Sequence, residues 1–425
     1  MSQTISIPID VSDTRSNFGK WGWSVVTIEG LMLWIAAGVQ VHGLNIMVPV
    51  LSEYFDIPKT TLLFWATPAS WGSVVAAYVL AKVVEWKGAK FTIIFSLIAC
   101  ALCFGLIGTW NSVAAFVVLF SGVCFFGSGY AYIAGMALIA NWFPKKKSLA
   151  LGWVTMGQTM STALFVPMLA AFFGFFGVQY GFWAVSAIMV VLLILVMSFV
   201  VDTPEERGCT PDNVPMTAAE IAQSREEQEN YVVPFSSLQL LGMRDVWLIA
   251  LGSGGIYVVL VGVLSQLVPR LMALGYSLQT AILFLSIAAF IGVPGAYIWG
   301  WLGQKVSTRT SLIIYSLWWL VAVMLNMFEF NTFTLYASLG MIGLSFGGAT
   351  NLTTSIVAEK FPRAAFITAF GVIQPIQSII RCCAFAILAF GLTYLGGYTG
   401  AYALLAGVAV LNALLFWATD PTPVA

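Results

Sequence analysis

The chain has 425 residues, of which 60% are hydrophobic and only 8% are charged, against about 25% charged residues in a typical soluble domain. Eighteen basic and eighteen acidic residues give a formal net charge of zero, so no overall field attracts a charged polymer. This composition excludes a soluble enzyme, a nucleic-acid binder and a disordered protein. The apolar residues suffice for about twelve membrane-spanning helices of about 20 residues each.

Twelve long apolar runs follow a polar N-terminal segment. They do not alternate apolar and polar residues as β-barrel strands do. We therefore predict an all-α polytopic membrane protein with twelve transmembrane helices. The predicted spans, numbered 1 to 12 in chain order, cover residues 22–51, 61–84, 90–109, 112–140, 148–175, 179–201, 245–273, 278–301, 308–328, 332–358, 364–393 and 397–418.

Basic residues are distributed unevenly between the two sides of these spans. With the N-terminus in the cytoplasm, fifteen Lys and Arg residues lie in cytoplasmic segments and two on the opposite side, which agrees with the positive-inside rule. We expect both termini in the cytoplasm, in a plasma membrane of the bacterial inner-membrane type. The predicted organisation is an N-terminal tail (1–21), a six-helix bundle (22–201), a cytoplasmic linker (202–244) with a candidate surface helix at 217–230, a second bundle (245–418) and a C-terminal tail (419–425).

The two halves of the chain resemble each other at an offset of 218–220 residues. The clearest pairs are Gly152 with Gly371, Gln158 with Gln377, Ala81 with Gly300, and Lys90 with Arg309. A parallel repeat of six helices predicts two pseudo-symmetric bundles related by an axis along the membrane normal. Such a protein holds its substrate site between the bundles at mid-membrane.

The loop between spans 2 and 3 resembles the Gly-x-x-x-Asp-x-x-Gly-x-Arg/Lys signature of the major facilitator superfamily. The matching residues are Ala81, Glu85, Gly88 and Lys90, with Ala replacing the opening Gly and Glu replacing the Asp. The second half keeps Gly300 and Arg309 but has Gln304 in place of the acid. The resemblance implies a twelve-helix secondary transporter in which these residues latch the cytoplasmic side.

Two short segments are similar to the oxalate:formate antiporter branch of that superfamily, which includes monocarboxylate-transporter-like proteins. They are Gly38-Val39-Gln40 in span 1 and Asn141-Trp142-Phe143-Pro144 after span 4. This resemblance implies pocket positions at Gln40, Tyr132, Gln158, Phe346 and Thr350. The branch has a substrate-binding basic residue in span 11, about one turn from Arg381 by the helical repeat. Its second basic residue corresponds to Ala296 here, so a monoanion is favoured over a dianion such as oxalate.

Charged residues inside a membrane are rare and functional, and this chain places Glu29 in span 1 and Arg381 in span 11. Arg stays protonated, and its planar fork matches a carboxylate. The alternatives for Arg381 are a structural ion pair and an Arg whose side chain snorkels toward the membrane surface. Glu29 or His42, the only histidine, would respond to protons. Alternatively, Glu29 is a structural partner of a backbone group or a basic side chain, and His42 is an ordinary polar residue of the cavity lining.

The sequence thus predicts a secondary transporter that moves a small organic anion, with a monocarboxylate favoured, by proton symport or anion exchange. It would work as a monomer in the lipid bilayer, without a cofactor, a metal or a nucleic-acid partner. One alternative is an exporter of a neutral or amphipathic compound in which Arg381 is structural. A receptor would need a signalling domain, and an intramembrane enzyme would need a catalytic constellation. Neither feature is visible in the sequence.

Overall fold

A computed structural model of the protein describes residues 15–215, 217, 220, 223, 236–328 and 331–424. Within these ranges the secondary structure is helical, and they contain no β-strand. Residues 1–14 of the predicted N-terminal tail and most of the candidate surface helix at 217–230 lie outside the described residues.

The first six spans are helical because a backbone in lipid must satisfy its hydrogen bonds within its own segment. Helix Val166–Phe199 covers the rest of span 5 and all of span 6, and its backbone leaves the helical conformation at Gly177 (φ 75°). The segments in order are Gly19–Ala37, Gly38–His42 and Leu44–Phe55 in span 1, Lys59–Ser70 and Gly72–Lys87 in span 2, Ala89–Leu106 and Ile107–Thr109 in span 3, Val113–Gly127, Ser128–Gly135 and Met136–Trp142 in span 4, and Lys147–Met160 and Ser161–Phe165 at the start of span 5.

The second half repeats this arrangement after short helical segments at Pro204–Arg207, Pro211–Asn213 and Ser237–Leu241. Span 10 is divided at Phe346 and Gly347, and span 11 begins with a 3-10 turn, Arg363–Ala365. The helices are Arg244–Ala273 (span 7), Leu278–Val306 (span 8), Thr308–Phe328 (span 9), Thr332–Ser345 and Gly348–Lys360 (span 10), Phe366–Cys382 and Ala384–Tyr394 (span 11) and Tyr398–Trp417 (span 12).

Ten helices among the described residues are long and apolar enough to cross a membrane. One of them, Lys147–Phe199, has 53 residues and contains both span 5 and span 6. Span 10 is not among these ten helices because it consists of two shorter helices. The predicted all-α, twelve-helix fold is therefore confirmed. The observed helices extend a few residues beyond several predicted limits, as at Gly19 and Phe55 in span 1.

The two halves meet mainly through span 5 against span 8 and span 2 against span 11. The internal repeat relates these pairs, since span 2 corresponds to span 8 and span 5 to span 11. We call the side where the start of the linker meets the N-terminal segment the linker side; there the Asn213 amide donates to Asn17 at 3.2 Å. The C-terminal segment lies on the same side of the molecule, where the Val424 N–H donates to the carbonyl of Lys360 at 2.8 Å.

Three spans of the first half contain a π-helical turn near their middle. These turns are Gly38–His42 in span 1, Ser128–Gly135 in span 4 and Ser161–Phe165 in span 5. A π-turn widens the helix locally and occurs often at functional sites. The turns of spans 1 and 5 pack together, with the Phe165 ring seated on Gly38. These irregular turns lie at the level of the central cavity described next.

Candidate functional site

A cavity of about 170 Å³ lies between the two halves at mid-span. Spans 1, 2, 4 and 5 form one wall, and spans 7, 10 and 11 form the other. The lining residues are Gln40, Val41, Ser70, Ser73, Ala77, Cys124, Ser128, Tyr132, Ile133, Met136, Gln158, Tyr257, Thr350, Thr354, Gln374, Gln377, Ser378 and Arg381. Thirteen of these eighteen residues carry an amide, a hydroxyl or a guanidinium group. Such a polar surface between apolar helices is built to bind something polar.

Arg381 is the one cation among the residues lining this cavity, and the lining includes no Asp or Glu. It stands in the last turn of helix Phe366–Cys382, where its charge is favourably placed relative to the helix dipole. No carboxylate in the described part of the chain forms an ion pair with it. Tyr132 and Tyr257, one from each half, line the same cavity. The guanidinium is therefore free to bind an anion.

Two hydrogen bonds organise the polar walls. The Ser128 hydroxyl donates to Oε1 of Gln40 at 3.1 Å, which joins the π-turns of spans 1 and 4. In the second half, the hydroxyl oxygens of Tyr257 and Thr350 are 3.0 Å apart, which joins spans 7 and 10. Nε2 of Gln40 is buried without a hydrogen-bond partner among the described residues. This nitrogen lies against Gly127 of span 4, where an added Cβ would be 2.5 Å from it.

Five of the six predicted substrate-binding residues line this cavity: Gln40, Tyr132, Gln158, Thr350 and Arg381. Phe346 does not, because it stands at the break in span 10 and packs against Gly292 of span 8. Both halves contribute residues to the cavity wall, so the cavity is shared between the bundles, as the internal repeat predicts.

Glu29 does not line the cavity. It is fully buried in the linker-side half of span 1, next to Gly135 of span 4. Neither carboxylate oxygen has a hydrogen-bond partner among the described residues, and the hydroxyl of nearby Tyr130 also lacks one. A charged carboxylate is expensive in such a site, whereas the neutral acid is tolerated. The site can therefore hold a proton.

His42 ends the π-turn Gly38–His42 and also lies outside the set of cavity residues. It is partly exposed and interacts with other groups. Of the two predicted proton carriers, Glu29 is thus the more isolated from compensating groups.

The cavity is closed on the linker side by contacts between the halves. A Cβ added to Gly300 of span 8 would lie 2.7 Å from the Cα of Gly152 in span 5. The Gln304 amide donates to the carbonyl of Lys145 at 2.9 Å, and the Lys147 ammonium donates to the carbonyl of Ala358. Each contact joins the N-terminal half to the C-terminal half. Toward the opposite side, the lining residue Val41 is 59% exposed.

The linker itself contributes to this closure. Arg363, at the start of span 11, forms a bidentate ion pair with Glu205, with N–O distances of 2.8 and 3.1 Å. The side chain of Glu205 is only 1% exposed. The backbone N–H of Lys146 donates to Asp212 at 2.8 Å, and burial raises the pKa of the Asp212 carboxyl. The linker is therefore fastened to both halves.

The residues of the predicted latch motif have two different environments. Glu85 pairs with Lys82 at 2.7 Å within span 2. Gly88 has a φ of 86° and lies against Asp202, whose carboxylate accepts the backbone N–H of Lys90 at 2.5 Å. Burial raises the pKa of Asp202. These contacts stay within the first half and its junction with the linker.

The second copy of the motif makes contacts of the same kind, although not all of them come from equivalent repeat positions. The N–H of Thr308 donates to Glu359 at 3.1 Å, as Lys90 does to Asp202. Nε of Arg309 donates to the carbonyl of Phe416 at 3.0 Å, whereas Nζ of Lys90 donates to that of Met197 at 3.3 Å. Both basic side chains therefore bind the C-terminal end of the last helix of their half. Gln304 instead donates a hydrogen bond across to the other half.

Several cavity residues gave no signal in the sequence. Tyr257, Gln374 and Ser128 are isolated polar residues within apolar runs, and helical spacing alone does not distinguish a cavity-facing side chain from one in a helix contact. Outside the cavity, Asp202 follows span 6 and caps the first helix of span 3, so the two contacting segments are far apart in the sequence.

For Gln377 the internal repeat was a clue, because this residue corresponds to Gln158 and both line the cavity.

Comparisons with known proteins agree with this architecture. A family model described as Major Facilitator Superfamily matches residues 30–379. The fold is similar to that of the proton:xylose symporter XylE bound to 6-bromo-6-deoxy-D-glucose, with a TM-score of 0.74 at 15% identity over 92% of this chain and 94% of that chain. It is also similar to that of the E. coli fucose:proton symporter FucP (TM-score 0.71, 13% identity, 94% and 98% covered).

A human organic anion transporter, MFSD10, has a TM-score of 0.68 at 15% identity, with 93% of this chain and 99% of that chain covered. At such identities these likenesses show a shared fold and not a shared substrate. No curated protein matches the chain.

Proposed function

The chain belongs to the Major Facilitator Superfamily, and we propose that it is a secondary transporter of a small organic anion, specifically a monocarboxylate. The membership rests on a family match that covers most of the chain. Such proteins carry small molecules across membranes and are not enzymes. The assignment to the oxalate:formate branch stays a prediction, as does the nature of the anion.

The observation that carries the proposal is the position of Arg381. It lines a cavity between the two halves and has no carboxylate partner in the described part of the chain. A guanidinium binds a carboxylate through two parallel hydrogen bonds. One positive charge compensates one negative charge, so a monoanion leaves no net charge in the site. A dianion would keep an uncompensated charge at mid-membrane, which is costly.

This charge balance also supplies a mechanism for alternating access. Closing the cavity on both sides buries Arg381, and an unpaired buried charge is strongly unfavourable. A bound carboxylate neutralises it and lowers the cost of the closed state. The linker side can then open as the contacts between Gly152 and Gly300 separate. Without bound anion, the same step is opposed, so transport is coupled to binding.

Glu29 is the proposed proton carrier. It lies buried in the first half, without a hydrogen-bond partner among the described residues, at a distance from the anion site. Proton uptake there would accompany anion entry in a symport cycle. His42 is the second candidate. In an anion-exchange cycle neither residue would need to titrate.

The alternative, export of a neutral or amphipathic compound, requires a structural role for Arg381. A structural Arg at mid-membrane pairs with an acid or with backbone carbonyls, and no acid among the described residues pairs with Arg381. Sugar symporters share this fold, so neutral sugars are the appropriate controls. We further propose cytoplasmic termini, a plasma-membrane location and function as a monomer. The clustering of linker and terminal contacts on one side supports the shared side of the termini.

Uptake into proteoliposomes tests this proposal. Labelled monocarboxylates should accumulate when an inward proton gradient or an internal counter-anion is imposed, and one of the two driving forces should suffice. Neutral sugars of the same size should not accumulate. Uptake of the neutral compounds alone would overturn the proposal.

A further inference from the structure

Four glutamine side chains reach the cavity, two from each half of the molecule: Gln40, Gln158, Gln374 and Gln377. Gln40 is only 9% exposed, its Oε1 accepts from Ser128, and its Nε2 lies against Gly127. The side chains of Gln158 and Gln374 form no hydrogen bond with another described residue. The cavity therefore presents amides whose hydrogen-bonding capacity the protein itself leaves unused.

An amide that makes no hydrogen bond within the protein favours a ligand that can form a hydrogen bond with it. Before binding, water can satisfy these groups. A ligand that displaces the water without replacing its hydrogen bonds leaves buried donors and acceptors unpaired, which opposes binding. An unsubstituted aliphatic carboxylate would displace water and leave unpaired every amide that its carboxylate group does not reach. A hydroxyl group avoids the loss, because it donates and accepts as an amide does.

The charged groups that line the cavity restrict the class of substrate further. Arg381 can bind one carboxylate, and the lining has no acidic residue that could bind an ammonium group. An amino acid would therefore leave its positive charge unpaired in the cavity. A dicarboxylate would leave its second negative charge unpaired. Neither matches the site as well as a molecule with one carboxylate and several neutral polar groups.

We propose that the substrate is a hydroxylated monocarboxylate, such as a hydroxy acid or a sugar acid. Its carboxylate binds Arg381, and its hydroxyl groups bind the amides of Gln158 and Gln374. This inference rests on the proposed function of the cavity as an anion site. It adds the chemical class of the part of the substrate that is not the carboxylate.

Matched ligand sets test the inference on the purified full-length protein by calorimetric binding. Each set contains a hydroxylated monocarboxylate of three to six carbons, the deoxy carboxylate with the same number of carbons, and the corresponding neutral polyol. Several stereoisomers are included, because a site with fixed amides selects among them. We expect at least one hydroxylated acid to bind about tenfold or more tightly than its deoxy counterpart, the effect of one lost hydrogen bond in a site built for it.

Gln158→Met removes one amide while nearly keeping its volume. It should weaken binding of the hydroxylated acid about tenfold but should not weaken binding of the deoxy acid, because Met leaves no amide unpaired beside it. Gln179→Met, at an exposed position outside the cavity, is the matched control and should change neither. The comparison among ligands needs only the unmodified protein, so it stands even if a variant folds poorly.

The outcomes separate the two proposals. Equal binding of hydroxylated and deoxy acids would overturn this inference and leave the anion site intact. Binding of the neutral polyol alone would overturn the proposed function, and this inference with it. Preference for the hydroxylated acid that persists unchanged in both Gln158→Met and Gln374→Met would also contradict the inference, because the amides would then not supply the selectivity.

Discussion

Gly300 of span 8 lies against Gly152 of span 5, so closely that a Cβ on Gly300 would be 2.7 Å from the Cα of Gly152. Their repeat counterparts, Ala81 and Gly371, meet in the same way, with a Cβ on Gly371 falling 2.7 Å from the Cβ of Ala81. Small residues allow helices to approach this closely in a membrane. The degenerate signature motif thus contributes its opening position to the closure of the linker side.

Gly300→Val should destabilise this closed arrangement. Added atoms at a backbone contact cost about 1–3 kcal/mol, which shifts a two-state equilibrium about fivefold or more. The state open toward the side opposite the linker becomes less populated. The measurement is the rate at which an impermeant maleimide labels Val41→Cys in right-side-out vesicles, in a background without the six native cysteines.

We expect slower labelling in the Gly300→Val variant. Gly340→Val is the matched control, because a side chain there meets nothing within 4 Å. An unchanged labelling rate in Gly300→Val would show that the contact does not control access to the cavity.

The ion pair between Arg363 and Glu205 should stabilise the fold measurably. Glu205 is nearly fully buried, so Arg363→Met removes the cation that forms its bidentate ion pair and should cost about 3 kcal/mol. The double change Arg363→Met with Glu205→Leu should recover most of the loss. The melting temperature of the purified protein reports both effects.

The exposed pair between Lys82 and Glu85 provides the comparison. Its side chains are 43% and 26% exposed, so Lys82→Met should change stability by less than about 1 kcal/mol. Equal losses for the buried and the exposed pair would argue against a structural role for the linker.

Glu29→Gln should separate proton coupling from anion binding. The amide has the size of the neutral acid but cannot release a proton. We expect the variant to bind and exchange labelled substrate while its net uptake no longer depends on an imposed proton gradient. Uptake with and without the gradient, at constant substrate concentration, is the measurement.

Two controls accompany this test. Glu53→Gln changes an exposed acid and should leave the gradient dependence intact. His42→Gln tests the second candidate. Gradient dependence that survives Glu29→Gln but is lost in His42→Gln would reassign the proton carrier.

Much of the fold could be read from the sequence, because each apolar run long enough to span a bilayer must form a helix. Arg381 and Glu29 were visible for a related reason, since a charge in such a run is costly and needs an explanation. The π-turns in spans 1, 4 and 5 could not be foreseen, because their residues are also compatible with a regular helix.

The composition of the cavity was only partly predictable. Gln40, Gln158 and Thr350 came from a family resemblance, whereas Tyr257 and Gln374 depend on the rotation of each helix about its axis. That rotation is set by packing against neighbouring helices and not by local sequence. The position of Phe346 could not be predicted from local sequence either. The break in span 10 places it against Gly292 and not among the cavity residues.

The central claim is that Arg381 binds the carboxylate of the substrate. Thermal stabilisation of the purified protein by a panel of small organic acids, with neutral compounds as controls, tests it most directly. A ligand at about 100 times its dissociation constant adds about 2.7 kcal/mol of stability, which a melting scan detects. We predict stabilisation by monocarboxylates that is lost in Arg381→Gln, because charge-assisted hydrogen bonds contribute about 1.5–3 kcal/mol. Stabilisation by neutral compounds alone, unchanged in Arg381→Gln, would contradict the account.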